Sequence, residues 1–379
     1  MPKILYLIAE DRFFVSHFLS MAAAAEDCNL DVAVAATRTG PHADRIAERK
    51  YAFIDLDMKR RSLGPFEALR NLRDMQAIIR RERPDIVHCI ALRLVVLGGI
   101  AARRCGVRSI VLAPTGLGYL WEKNSIHRRV LRKLVQFVVG RWLRGPRTRY
   151  VFEHAEDARE LGLDSKASDV FLVPGAGVDA AQFPLTQEPS APPVKVAVVS
   201  RMLDSKGIAE AVEATRRARA LGAPIELSLF GESDTADSRT IPEATLRQWA
   251  QEPGIKWHGH TPDVAKVWRD HHIALFLSYR EGVPRTLLEA AASGRPIVTT
   301  DIPGCREVVR NSGEGVLVPI RDAERAAAAL VRLASDRQLR IDLGAAAHRH
   351  FMQRFSASMV RDAVRAVYAS ALSEARARI

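Results

Sequence analysis

Short runs of β-branched and aliphatic residues alternate with longer stretches of helical spacing along almost the whole chain. In the first half the runs are Lys3–Ile8, Asp31–Ala36, Ile86–Ile90, Ser109–Leu112, Tyr150–Phe152 and Val170–Val173. The segments between them are long enough to cross over, so the pattern predicts βαβ units around a buried parallel sheet. At Leu185-Thr186-Gln187-Glu188-Pro189-Ser190-Ala191-Pro192-Pro193 the alternation stops. Prolines remove backbone donors and stiffen the chain there, which places the interdomain linker in this stretch. The alternation restarts with Val194–Val199 and continues through Ile225–Phe230, Ile255–His258, Ile273–Leu277, Pro296–Thr299 and Gly315–Val318. The expected fold class is α/β: two Rossmann-like, doubly wound domains, residues 1–185 and 194–355, facing a central cleft where ligands of such sheets bind. From 356 to 379, Met359, Val360, Val364, Val367, Tyr368 and Leu372 recur at helical spacing, which predicts an amphipathic closing helix.

A length of 379 residues agrees with two or three domains at roughly 100–200 residues each. With 47% hydrophobic and 26% charged residues the chain is globular in composition, which excludes a disordered or collagen-like protein. Cys28, Cys89, Cys105 and Cys305 are widely spaced without a CxxC, so neither a zinc site nor a disulfide framework is indicated and a reducing cytoplasm fits. No apolar run reaches the roughly 18–20 residues of a membrane span. Met1–Ile8 is too short and too soon followed by Glu10 and Asp11 for a signal peptide, so export is not expected. The net charge of +12, carried mostly before Leu185, attracts polyanions: nucleic acid, anionic lipid headgroups or phosphorylated substrates. No RNP-like aromatic strand or zinc-finger spacing supports the first, and nucleic acid is not expected as a partner. The first strand leads into Ala9-Glu10-Asp11-Arg12 rather than GxGxxG, which argues against a dehydrogenase.

Most of the candidate chemistry lies in Ser278-Tyr279-Arg280-Glu281-Gly282-Val283-Pro284-Arg285-Thr286-Leu287-Leu288-Glu289, which follows an apolar strand. Pro284 suits a first helical turn and Gly294 a C-terminal cap. The helix between them would aim free amides and a positive dipole end at the strand–helix junction, where an anion can sit. Glu281 would precede the helix and Glu289 lie inside it, so the two carboxylates would flank a ligand and accept from sugar or ribose hydroxyls. The plainer alternative makes Glu289 a surface helix residue and Glu281 a charge complementing the dipole. In Ser200-Arg201-Met202-Leu203-Asp204-Ser205-Lys206-Gly207 a strand ends in a turn with two cations. Arg201 is suited to gripping phosphate bidentately and Lys206 to supplying a point charge. On a departing diphosphate both would act more strongly in the transition state than in the ground state. Two solvated loop cations are the alternative.

Together these segments resemble glycosyltransferase family 4, the retaining, nucleotide-sugar-dependent enzymes of GT-B fold, over nearly the whole chain. The resemblance implies that Arg201 and Lys206 of R-x4-K bind the donor diphosphate. It places Glu281 toward the donor sugar and Glu289 toward the nucleotide ribose. It assigns donor contacts to Gly282, Val283 and Arg285, with Pro284 replacing a position often occupied by Gly. Asp11-Arg12-Phe13-Phe14-Val15-Ser16-His17, Thr115-Gly116-Leu117-Gly118-Tyr119, Pro174-Gly175-Ala176-Gly177-Val178-Asp179, Ile241-Pro242-Glu243 and Glu281–Arg285 look like the capsule, O-antigen and lipid-linked N-glycan transferases of bacteria. That subgroup includes enzymes adding N-acetylgalactosamine to a bacillosamine-type sugar on undecaprenyl diphosphate. A hexosyltransferase moving a hexose or N-acetylhexosamine from a UDP-sugar to a polyprenyl-diphosphate-linked saccharide is therefore expected, with no metal or other cofactor; a GT-B nucleotide-sugar epimerase is the alternative.

The first domain departs from the family in lacking a Gly-Gly pair after its first strand and in carrying Ala113-Pro114-Thr115 where many relatives have a cleft histidine. His17, Thr115 and Gly116, with the turn to Gly118, are the candidate acceptor contacts. Neither His17 nor His88 shows metal-ligand spacing, and a structural imidazole is the default for each. The segment from Arg128 to Arg144 combines cations with a broad apolar face. It would lie against the anionic inner face of the cytoplasmic membrane, or else pack on the core with a solvated basic face.

Overall fold

The computed structural model describes residues 1–58, 64–117, 119–122, 125–233 and 239–376. They form two compact units, Met1–Gly177 with Ser358 onward, and Val178–Ala357. The first unit is built on a parallel sheet of β1 Lys3–Glu10, β2 Asp31–Thr37, β3 Ala52–Asp55, β4 Ile86–Ile90, β5 Ser109–Ala113, β6 Thr148–Phe152 and β7 Val170–Leu172. Their spatial order is β3-β2-β1-β4-β5-β6-β7. The strands are buried on both faces, which is why each reads as a continuous apolar run rather than an alternating one. Leu5, Leu7, Val87, Cys89 and Leu112 pack on one side beneath helices Pro65–Glu82 and Leu92–Arg104. A Cβ on Gly98 would come within 2.8 Å of Cys89 Sγ and 2.9 Å of Leu7, so the second of these helices lies directly on the sheet. Ile4, Tyr6, Ile8, Ile86 and Ile90 face the opposite way, against helix Leu19–Asp27 and the C-terminal helix Ala357–Arg376.

β3 is the strand that the hydrophobic pattern did not announce. It is a four-residue edge strand with one buried side chain, Ile54. The C-terminal helix is amphipathic as expected, with Val360, Val364, Val367 and Tyr368 buried in the first unit, although Met359 is exposed.

The second unit repeats the architecture. β8 Val194–Val199, β9 Ile225–Phe230, β10 Ile255–Trp257, β11 Ile273–Phe276, β12 Ile297–Thr300 and β13 Val316–Val318 pair in parallel in the order β10-β9-β8-β11-β12-β13. In each sheet the winding reverses beside its first strand, between β1 and β4 and between β8 and β11. Loops leaving the carboxyl ends of those strands diverge and open a crevice.

The boundary between the units falls at Gly177/Val178 rather than in the Pro-rich stretch. Residues 178–189 are stapled to the second unit. Phe183 is buried in its core. Arg295, 1% exposed, donates to the backbone oxygens of Trp268 at 2.7 Å and of Thr186 and Gln187 at 3.1 Å each. Burial pushes its pKa down to about 10. Glu188 accepts from both Nε and Nη2 of Arg340, at 2.9 and 3.1 Å. Composition announced a break in secondary structure, and these distant cations turned the break into a strap.

Candidate active site

Arg201 and Lys206 lie on the loop after β8, and Glu281 on the loop after β11, so the crevice of the second sheet brings the two motifs together. The loops are locked to each other through backbone. Gly207 adopts φ +68°, and a Cβ there would come within 2.1 Å of Leu277 O. Tyr279 N donates to Ser205 O at 2.9 Å, and Ser278 Oγ to the same carbonyl at 3.1 Å. This clasp sets Lys206 beside Glu281. The ammonium pairs with Glu281 Oε1, which also accepts from Ser278 Oγ at 2.7 Å. Both charged side chains are largely shielded, at 16% and 17% exposure, and the ammonium stands 5.7 Å from the Phe276 ring centroid. Arg201 is exposed on the same loop.

Helix Arg285–Ala292 begins as expected, with Pro284 at its N-cap, and closes with Gly294 at φ +71°. No side chain caps its start. The 282–284 segment is clamped from outside, because a Cβ on Gly304 would meet Gly282 O at 1.4 Å. Val283 turns its side chain into the core. Glu289 is buried, not the surface residue of the plainer alternative, and accepts from Arg285 Nε at 2.8 Å. Burial pushes the Glu289 carboxyl up, and the Arg285 guanidinium works against that shift. Each carboxylate of the E-x7-E pair, expected to await hydroxyls, is thus already met by an internal cation. Arg285, expected to contribute an amide, commits its guanidinium to Glu289. Thr286 Oγ1, on the first turn of the helix, is buried with no hydrogen-bond partner. A threonine after a charged residue gives no sequence signal for this role.

In the first unit, His17 and Thr115 line one cavity with His88, Tyr368 and several apolar side chains. Gly116, at φ +81°, forms the turn just beyond Thr115, and Gly118 lies outside the described residues. His17 Nδ1 is 2.7 Å from Ser16 Oγ, and its ring lies 4.5 Å from that of Phe13. His88, in mid-strand on β4, is 2% exposed, and burial pushes its pKa down to about 3. Its Nδ1 is 3.0 Å from Tyr368 Oη, which is 2.6 Å from Tyr6 Oη. Tyr6 and Tyr368 are 362 residues apart, and nothing in the sequence joins them.

Family models cover most of the chain: "Glycosyl transferase 4-like" matches residues 3–141 and "Glycosyl transferases group 1" residues 193–336. Among curated proteins, the chain is 24% identical over 309 residues to the N,N'-diacetylbacillosaminyl-diphospho-undecaprenol α-1,3-N-acetylgalactosaminyltransferase of Campylobacter jejuni, covering 76% of this chain and 77% of that one. It is also 24% identical to the UDP-Gal:α-D-GlcNAc-diphosphoundecaprenol α-1,3-galactosyltransferase of Escherichia coli, covering 82% of each. Among solved structures, Anabaena HepE in complex with UDP and glucose superposes with a TM-score of 0.74 at 16% identity, covering 98% of this chain and 100% of that one. A Rickettsia africae glycosyltransferase gives 0.75 at 18% identity and 98% coverage of both. Two doubly wound sheets, the two motifs joined at one crevice and these matches lead to one conclusion: the chain is a glycosyltransferase of GT-B fold and belongs to glycosyltransferase family 4.

Proposed function

We propose that this enzyme moves a hexose or N-acetylhexosamine, with retention, from a UDP-sugar to a saccharide carried on polyprenyl diphosphate in bacterial surface polysaccharide or glycan assembly. The observation that carries the reading is the Lys206–Glu281 pair, held in the β8/β11 crevice just before a helix N-terminus. The names of both relatives support the acceptor class, since each specifies an N-acetylated sugar on diphospho-undecaprenol. In the proposed reaction Lys206 and Arg201 hold the diphosphate, and no metal is required. Glu281 faces the donor sugar and Glu289 the ribose; Gly282, Val283 and Arg285 border the donor. The bond from the anomeric carbon to the diphosphate oxygen breaks as the acceptor hydroxyl bonds to the same face of that carbon. The hydroxyl proton passes to the departing phosphate oxygen, so the protein need supply no base. A matrix of radiolabelled UDP-sugars against synthetic polyprenyl-diphosphate saccharides tests the reading. Label is expected in the lipid-linked product with the anomeric configuration retained. Epimerisation of UDP-GlcNAc or UDP-GalNAc alone, with no label reaching any acceptor, would favour the epimerase alternative and overturn it.

The reading also places the enzyme on the inner face of the cytoplasmic membrane. Among the described residues no helix is long and apolar enough to cross a bilayer. Helix Ile126–Phe137 instead turns its apolar stripe outward. Ile126 is 77% and Val130 65% exposed, Leu134 and Phe137 are also exposed, and Val135 is the residue it buries. A core-packed helix would show the reverse. Arg128, Arg129 and Lys133 flank the stripe, matching an anionic leaflet, where each nearby cation contributes about 1 kcal/mol. The protein is expected to co-sediment with phosphatidylglycerol-containing vesicles. Val130→Glu with Leu134→Glu should weaken that partitioning roughly tenfold or more, from lost burial and added repulsion. Equal sedimentation of the wild type and the double variant would dismiss this surface.

A further inference from the structure

The cavity beneath His88 contains a group that the reaction above does not use. Its residues all belong to the first unit and sit at the carboxyl side of the first sheet. Ala113 and Thr115 come from the end of β5 and beyond, Val173 and Gly175 follow β7, and Phe18 and Met21 come from the segment after β1. Val364, Val367 and Tyr368 of the C-terminal helix close it from the other side. Its volume is about 30 Å³, room for two or three water-sized groups. The surface it offers is almost wholly hydrocarbon.

The exception is His88 Nε2, which is buried and has no hydrogen-bond partner. The state of that nitrogen follows from the chain of hydroxyls on the other side of the ring. If Tyr6 donates to Tyr368 and Tyr368 donates to Nδ1, each hydroxyl hydrogen in the chain has an acceptor. The reverse order would leave the Tyr6 hydrogen without one. Nδ1 is therefore the acceptor, and the neutral ring carries its proton on Nε2. The cavity thus presents one uncharged donor in a hydrocarbon pocket.

That combination selects its ligand. A phosphate or carboxylate would bury a charge against hydrocarbon with no cation to meet it. A water would need two to four polar partners. An amide carbonyl bearing a methyl group supplies one acceptor and one apolar end. We propose that this cavity receives the N-acetyl group of the acceptor sugar, its carbonyl oxygen accepting from His88 Nε2 and its methyl group packing among Phe18, Met21 and Val364. His17 and Thr115, on the same wall, then face the ring hydroxyls. The inference rests on the proposed lipid-linked acceptor and adds a specificity residue, His88, to it.

The test compares kcat/KM of the full-length enzyme for N-acetylglucosaminyl- and glucosyl-diphospho-polyprenol with one UDP-sugar donor. The wild type is expected to favour the acetylated acceptor roughly tenfold or more. His88→Leu should cut that preference to about threefold or less, His88→Gln, which keeps a donor, should retain part of it, and Val364→Phe should abolish it by filling the cavity. Val364→Phe also carries the test if the leucine variant does not fold. Transfer to both acceptors without preference in the wild type would overturn the pocket alone. So would an equal loss on both acceptors in His88→Leu, the mark of a purely structural histidine. If the His88 effect follows the N-acetyl group of the donor, in a parallel series with UDP-Gal and UDP-GalNAc, the assignment to the acceptor is overturned. Failure to glycosylate either acceptor overturns the proposed function and the pocket with it.

Discussion

Lys206→Ala is expected to lower kcat by roughly 10²–10³-fold, the usual cost of removing one preorganised electrostatic contact from a transition state. The ammonium is held on a short loop whose backbone is tied to the β11 loop through Ser205, so little reorganisation precedes its action on a departing diphosphate. Its partner makes the prediction sharper. Glu281 Oε1 accepts from both Lys206 and Ser278, and deleting the lysine leaves a shielded carboxylate with the hydroxyl alone. If Lys206 served only to neutralise Glu281, Lys206→Ala combined with Glu281→Gln would recover activity. If it stabilises the leaving group, the double variant stays as slow as the single one, and that is the expected outcome. Lys206→Arg should recover only part of the rate, because a planar fork does not reproduce a compact charge on this tight loop. Steady-state kcat and KM for the UDP-sugar, with melting curves to confirm folding, decide the matter. A single variant within tenfold of the wild type would remove Lys206 from the mechanism.

The fold was legible because both sheets are parallel and covered on two faces. Buried strands such as Ile4–Ile8 and Ile273–Phe276 must then be continuously apolar, and the helices between them must cross over. β3 escaped because an edge strand with a single buried side chain needs no such run. The strap over residues 178–189 was hidden for a different reason. Prolines report that regular structure ends, whereas Arg295 and Arg340, which capture the segment, lie more than a hundred residues away.

The same distinction runs through the site. R-x4-K and E-x7-E are local patterns, and each occupies the loop its spacing suggested. What spacing could not supply is the pairing between them, since Lys206 and Glu281 are 75 residues apart and meet only because β8 and β11 are neighbours. Arg285 and Glu289 are four apart on one helix, a pair the sequence does contain. Its meaning became visible only once Glu289 was seen to be buried. The basic helix shows the limit of periodicity from the other direction. A stripe of Ile126, Val130 and Leu134 has the same period whether it faces a core or a bilayer, and exposure distinguishes the two.

Acid is expected to weaken the fold well before the carboxylates titrate. His272 is fully buried; its Nδ1 accepts from Lys195 N at 3.0 Å and its Nε2 donates to Pro189 O at 3.1 Å. Protonating Nδ1 would set two donors against each other. Burial accordingly lowers its pKa to about 4, and that of the neighbouring His271 to about 4. An unfolded histidine titrates near 6.5, so between about pH 6.5 and 4 the unfolded chain binds more protons than the folded one. Stability from these rings is therefore complete above about pH 6.5 and is lost as pH falls toward 4. The paired carboxylates contribute in the opposite range: Glu188, held below the usual carboxylate range by Arg340 despite its burial, keeps its contribution until the pH drops below about 4.5. A comparison at pH 7 and pH 5 isolates the histidines. Over that interval each should cost on the order of 2 kcal/mol of unfolding free energy. His272→Asn, whose side-chain oxygen can take over the bond from Lys195 N, should lose about that much less than the wild type between the two pH values. Urea denaturation followed by tryptophan fluorescence reads the difference, since Trp268 packs in the same unit. An identical decline in wild type and variant would show that His272 is protonated as readily in the folded chain as in the unfolded one.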